Sequence, residues 1–144
     1  MRVLFLEDRG DVAKHLKETL EERGHEVLRA LEVSDAQSYW EDKQPIECLI
    51  VDLNMDPAGL PEGMEKETKG GLLTGWIWLR ESVFKERPKM KPRTIIYTDY
   101  LGQLRELVTP EELEGIYLVQ KRDLFGSSAD KVLEYLEQIE KAKE

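Results

Sequence analysis

Apolar runs of strand length alternate with amphipathic helical patterns along this chain, and no other feature constrains its fold so strongly. The runs are residues 2–6 (RVLFL), 25–31 (HEVLRAL), 47–52 (ECLIVD), 94–98 (TIIYT) and 115–120 (GIYLVQ). Residues 2–6 read as a buried strand and 47–52 lack the strict polar–apolar alternation of a half-exposed one, whereas 25–31 read as a weaker strand. Between them lie helical patterns. The first, over 11–23, sets Val12, Leu16 and Leu20 on one face and ends at Gly24. Ser34 with Gln37 has the spacing of a capping box, which predicts a second helix starting there and ending before Pro45. A third helix is expected over 72–86, with Leu73, Trp76, Ile77, Val83 and Phe84 inward. Helical pieces over 100–108 and 110–113 follow, the latter capped by Thr109 with Glu112. A last helix is capped by Ser127 or Ser128 and is apolar at Ala129, Val132, Leu133, Leu136 and Ile139.

Five strands each followed by helix predict an α/β fold: a central five-stranded parallel sheet with helices on both faces. The 144 residues suit one domain over 1–144, interrupted at 56–71 by a loop with Pro57, Pro61 and four glycines. The net charge of −9 repels phosphate backbones and anionic lipid, so neither direct nucleic-acid nor membrane binding is expected. No apolar run reaches membrane-spanning length, and Glu7 and Asp8 interrupt the first one before it resembles a signal peptide. A cytoplasmic location follows as the expectation. The lone Cys48 permits no intrachain disulfide and reads as a buried thiol. His15 and His25 read as surface residues, and Trp40, Trp76 and Trp78 as packing residues, with Trp78 the hardest to place.

In a parallel sheet of this kind ligands sit beyond the carboxyl ends of the strands. The polar residues there are Glu7-Asp8, Asp52, Thr98 and, after the fifth strand, Lys121. Carboxylates gathered at one edge repel one another unless a cation neutralises them, and Mg2+ suits an all-oxygen site that also holds phosphate. A lysine and a hydroxyl beside such a site complete a phosphoryl pocket, in which a carboxylate can act as the nucleophile.

At these positions the sequence resembles the response-regulator receiver family, over nearly its whole length. LFLEDR is similar to that family's first strand with its acidic pair. LIVDLNM is similar to the strand bearing the phosphoacceptor, TGWIWLR to the start of the third helix, IIYTD to the fourth strand and YLVQKR to the fifth. The resemblance implies a flavodoxin-like, CheY-like (βα)5 fold. It implies Asp52 as phosphoacceptor and Glu7, Asp8, Asp52 and the backbone carbonyl of Asn54 as Mg2+ ligands. It implies Thr98 and Lys121 as phosphoryl contacts. The partners implied are a histidine kinase or phosphotransfer protein upstream and an unidentified protein downstream.

Four features depart from the family pattern. The loop at 56–71 carries about a dozen extra residues; it reads equally as a disordered insertion and as a lid or docking loop. Asp99 stands where a small residue is usual, and reads either as an obstacle to a phosphoryl group or as a helix cap. Tyr117 precedes Lys121 by four residues, not three, so a regular strand puts both on one face. Either a bulge restores both roles, or Leu118 replaces the aromatic, or Gln120 replaces the lysine. Arg122 replaces a proline, so no cis peptide is expected there. The reading is therefore a stand-alone receiver, a signalling module and not a metabolic enzyme. The alternative is a pseudo-receiver that binds proteins without phosphorylation. A flavodoxin-like nucleotide binder is disfavoured because acidic residues, not a glycine-rich loop, follow the first strand.

Overall fold

The computed structural model describes residues 1–122 and 128–143. Five parallel strands, β1 (Arg2–Leu6), β2 (Glu26–Ala30), β3 (Cys48–Val51), β4 (Thr94–Thr98) and β5 (Tyr117–Gln120), form one sheet in the order β2-β1-β3-β4-β5. This is the order of flavodoxin-like doubly wound sheets. The helices are α1 (Gly10–Glu22), α2 (Val33–Trp40), α3 (Thr74–Trp78), α4 (Leu101–Leu107), α5 (Pro110–Leu113) and α6 (Ser128–Lys143). A π-helical segment (Leu79–Phe84) continues α3. No helix among the described residues is long and apolar enough to cross a membrane.

Strand side chains alternate between two cores, as the pleat dictates. Val3, Phe5, Ile50, Ile95 and Val119 pack with Leu16 and Leu20 of α1 and with Val132, Leu136 and Ile139 of α6. Leu4, Leu6, Leu49, Val51 and Ile96 pack with α2, α3, α4 and α5 through Trp40, Trp76, Leu104 and Leu113. The side chain of Val12, expected on the buried stripe of α1, lies outside the described residues, as does Ser127 as a cap of α6.

Cys48 belongs to the α1/α6 core and is fully buried, which pushes its thiol up to about 12. Native protein at pH 8 is expected to react with a thiol reagent roughly 100-fold more slowly than protein unfolded in urea. Equal rates in a colorimetric thiol assay would contradict that burial.

Two local expectations need correction. α2 starts one residue before Ser34; its cap residue is Glu32, and Ser34 donates to Glu32 Oε1 (2.7 Å) instead of capping. Gln37, released from the capping role, accepts the indole N–H of Trp78 at 2.9 Å. That bond lets Trp78 be fully buried with its polar atom satisfied. His25 is no surface residue: its side chain is 11% exposed, with Nδ1 3.0 Å from the amino terminus.

Every residue of α3 is buried, and residues 56–71 supply part of its cover. They are not a dangling insertion. A 3-10 turn (Glu65–Thr68) lies against α3, and Leu60 and Met64 join the adjacent core. Thr68 is buried; its hydroxyl donates to the Glu65 carbonyl (2.7 Å) and accepts the Gly71 amide (3.0 Å). Gly71 has φ +94°, and a Cβ there would stand 2.9 Å from the Met55 carbonyl oxygen, so the loop can close only on glycine. The segment thus roofs α3, and a helix covered on all sides can be apolar on all sides.

Candidate functional site

The sheet order makes β1 and β3 neighbours, with Leu6 opposite Val51. The residues just beyond are therefore brought together: the Asp52 amide donates to the Leu6 carbonyl (3.0 Å), while on the other side of β1 the Glu7 amide donates to the Ala30 carbonyl of β2 (3.0 Å). One carboxylate oxygen from each of Glu7, Asp8 and Asp52 lies within 4.8 Å of the others. Glu7 is fully buried, Asp52 is nearly so and Asp8 is exposed. Arg29 holds the Glu7 backbone by donating two hydrogen bonds to its carbonyl (3.1 and 3.3 Å).

Lys121 arrives from the end of β5, where its amide donates to the Thr98 carbonyl (2.9 Å). Its ammonium donates to Glu7 Oε1 and to Asp52 Oδ2, the latter at 3.0 Å. Asp52 Oδ1 accepts the Leu53 amide (2.7 Å), so Oδ2 is the oxygen left to the ammonium. Burial, then the adjacent Asp52 charge, lifts the Glu7 carboxyl to about 8 against the opposing pull of Lys121. Burial works against the Lys121 charge, but Asp52 and Glu7 outweigh it and raise its pKa.

The sign of the Glu7 effect follows directly. Between 4.5 and about 8 the folded protein holds a proton that the unfolded chain has released. The Glu7 contribution to stability is therefore fully present in acid and lost as pH rises through that window.

The strand-five ambiguity resolves without a bulge in the β4–β5 register, which pairs Tyr97 with Val119 and Thr98 with Gln120. Lys121 reaches the carboxylates. Leu118 packs toward the α4 side, and Tyr117 faces the opposite core, stacked on Tyr135 with ring centroids 4.6 Å apart. Leu118 therefore stands three residues before the lysine, where the family has an aromatic.

A cavity of about 130 Å³ opens over the site, lined by Asp8, Arg9, Asp52, Asn54, Asp99, Tyr100, Lys121 and Arg122. Thr98 is not among its lining residues; it is fully buried and its hydroxyl accepts the Tyr100 amide (3.2 Å). Residues 56–71 do not line it. Asp99 does not cap α4, whose cap residue is Tyr100. It pairs instead with Arg9 (3.7 Å) and Arg122 (3.6 Å), an arrangement the sequence reading missed. The available signal was a charged residue directly after each of Asp8, Thr98 and Lys121. No cis peptide occurs among the described residues.

The donor set fits a hard divalent cation. It offers three carboxylates, and Glu7 Oε2 is buried without a hydrogen-bond partner. Asn54 lines the same cavity.

No family model matches the chain, and no curated protein matches it. Solved structures do. A response-regulator receiver domain protein from Clostridium thermocellum aligns with a TM-score of 0.67 at 24% identity, over 99% of this chain and 95% of that one. The chemotaxis protein CheY4 of Vibrio cholerae gives 0.67 at 17% identity, over 96% and 97%. The response regulator TrrA of Thermotoga maritima, solved with Mg2+ and BeF, gives 0.63 at 16% identity, over 96% and 97%. The likeness establishes that this chain has the CheY-like receiver fold.

Proposed function

We propose that the protein is a response-regulator receiver of the cytoplasm, in which Asp52 accepts a phosphoryl group with Mg2+ held by Glu7, Asp8, Asp52 and the Asn54 carbonyl. The observation that carries this reading is the convergence of three carboxylates from β1 and β3 with the Lys121 ammonium on Asp52 Oδ2. A bound Mg2+ would neutralise the carboxylates and a phosphoryl oxygen. The upstream partner is a histidine kinase or phosphotransfer protein. An Asp52 carboxylate oxygen attacks the phosphorus of its phosphohistidine. A P–O bond forms, the P–N bond breaks, and the imidazole leaves with a proton from solvent. Lys121 exchanges its carboxylate partner for a phosphoryl oxygen. The added charge shifts the surface around α4 and β5, and an unidentified protein reads that surface.

Incubation with Mg2+ and a small acyl phosphate is expected to add one phosphoryl group to the intact mass. Asp52→Asn is expected to reduce that adduct to background. Equal adducts on both proteins would reject Asp52 as acceptor.

The pseudo-receiver reading is favoured by a different observation: Thr98 is fully buried, with its hydroxyl engaged by the Tyr100 amide, and does not line the cavity. It predicts no adduct on either protein, and partner binding indifferent to Asp52→Asn.

A further inference from the structure

Three charged residues repeat the layout of the acidic site one position further along the chain: Arg9 after Asp8, Asp99 after Thr98, Arg122 after Lys121. They belong to three different strand-end loops, yet all line the cavity over Asp52. Asp99 sits between the arginines, Oδ2 at 3.7 Å from Arg9 Nη1 and Oδ1 at 3.6 Å from Arg122 Nε. Its side chain is 16% exposed, whereas those of Arg9 and Arg122 are 49% and 81% exposed. The Asp99 backbone is fixed by Gln120 Nε2, which donates to its carbonyl at 2.8 Å.

Both ionic contacts exceed hydrogen-bond length, and Asp99 Oδ1 is buried with no hydrogen bond. The contacts of both arginines to Asp99 are therefore ionic and not fixed hydrogen bonds, although Arg9 Nη2 also donates to Asp11 Oδ2 (3.4 Å), so a better anion can take Asp99's place. The lining balances three acidic residues (Asp8, Asp52, Asp99) against three basic ones (Arg9, Lys121, Arg122). Without Asp99 the lining gains net positive charge: Arg122 loses its carboxylate, and Arg9 keeps only Asp11.

We propose that Arg9, Asp99 and Arg122 form an ionic latch across the mouth of the Asp52 cavity, which makes Asp99 a specificity-determining residue that disfavours small anionic phosphoryl donors. The latch rests on the reading of Asp52 as phosphoacceptor. An entering phosphoryl group must replace Asp99 as the partner of the arginines, and until it does the Asp99 carboxylate repels it.

The test compares the initial rate of acyl-phosphate labelling, by intact mass with Mg2+, in wild type, Asp99→Ala and Asp99→Asn. Both variants are expected to label roughly three- to tenfold faster at low ionic strength, with the gap closing toward about 0.5 M salt, where screening shortens the reach of the Asp99 charge. Asp99→Asn keeps the bulk and removes the charge. Rates equal to or below wild type, or a gain confined to alanine, would overturn the latch. If none of the three proteins takes a phosphoryl group, the phosphoacceptor reading has failed and hydrogen exchange decides the latch separately. Faster exchange of the Tyr100 and Lys121 amides in Asp99→Ala supports it, and unchanged exchange overturns it.

Discussion

Replacing Gly75 by alanine is expected to lower the unfolding free energy by about 3 kcal/mol, because the added methyl has nowhere to go. A Cβ at Gly75 would lie 1.9 Å from the Asp52 carbonyl oxygen and 2.9 Å from Val51 Cγ1. The nearer obstacle is backbone just past the end of β3, which cannot rotate away as a side chain can. The Gly75 amide also donates to the Leu53 carbonyl (3.0 Å), so the start of α3 is tied to the chain just after Asp52. Relief requires α3 to move off β3, which displaces the residue on which the proposed chemistry depends. Urea denaturation should show a lower midpoint with an unchanged slope. A loss below about 1 kcal/mol would mean that α3 and β3 are less closely apposed.

Lys121→Met is expected to cost about 3–5 kcal/mol above pH 8, since it leaves two buried carboxylates without a counter-charge. The side chains of Glu7 and Asp52 are 0% and 7% exposed, so solvent replaces the ammonium poorly, and at Glu7 least of all. The cost should shrink toward pH 6. Glu7 already titrates near 8, loss of Lys121 raises it further, and a protonated Glu7 removes the repulsion. Urea curves at the two pH values measure the difference. A deficit that is larger at pH 6 than at pH 9 would reverse the assigned electrostatics.

How much of this was legible in the sequence depended on whether a signal was local. β1 and β4 coincide with their apolar runs to the residue, because each ends abruptly at charged residues or a turn. The Thr109–Glu112 capping box is present with both of its reciprocal bonds. The same pattern at Ser34 failed, because Gln37 found a tertiary partner in the Trp78 indole. Trp78 itself could not be placed by periodicity. Helical periodicity assumes a solvent face, and α3 has none, with α2 at the Trp78 indole and the 65–68 turn also against it. The α/β class and the gathering of Glu7, Asp8 and Asp52 followed from parallel-sheet topology, which sends strand ends to one edge. The Asp99 pairs did not follow, because ionic partners on three separate loops leave no periodic trace.

Lys121 lies where a cation bridging Glu7 and Asp52 would compete with it, so the central claim concerns whether the three carboxylates can share a metal at all. Calorimetric titration with MgCl2 at pH 8 addresses that most directly. Wild type is expected to bind one Mg2+ saturably, with affinity that falls as pH drops below 8 because Glu7 must then release a proton. Asp8→Ala and Asp52→Asn should each lose that binding. A wild type with no saturable heat, or variants that bind as well as wild type, would contradict the account.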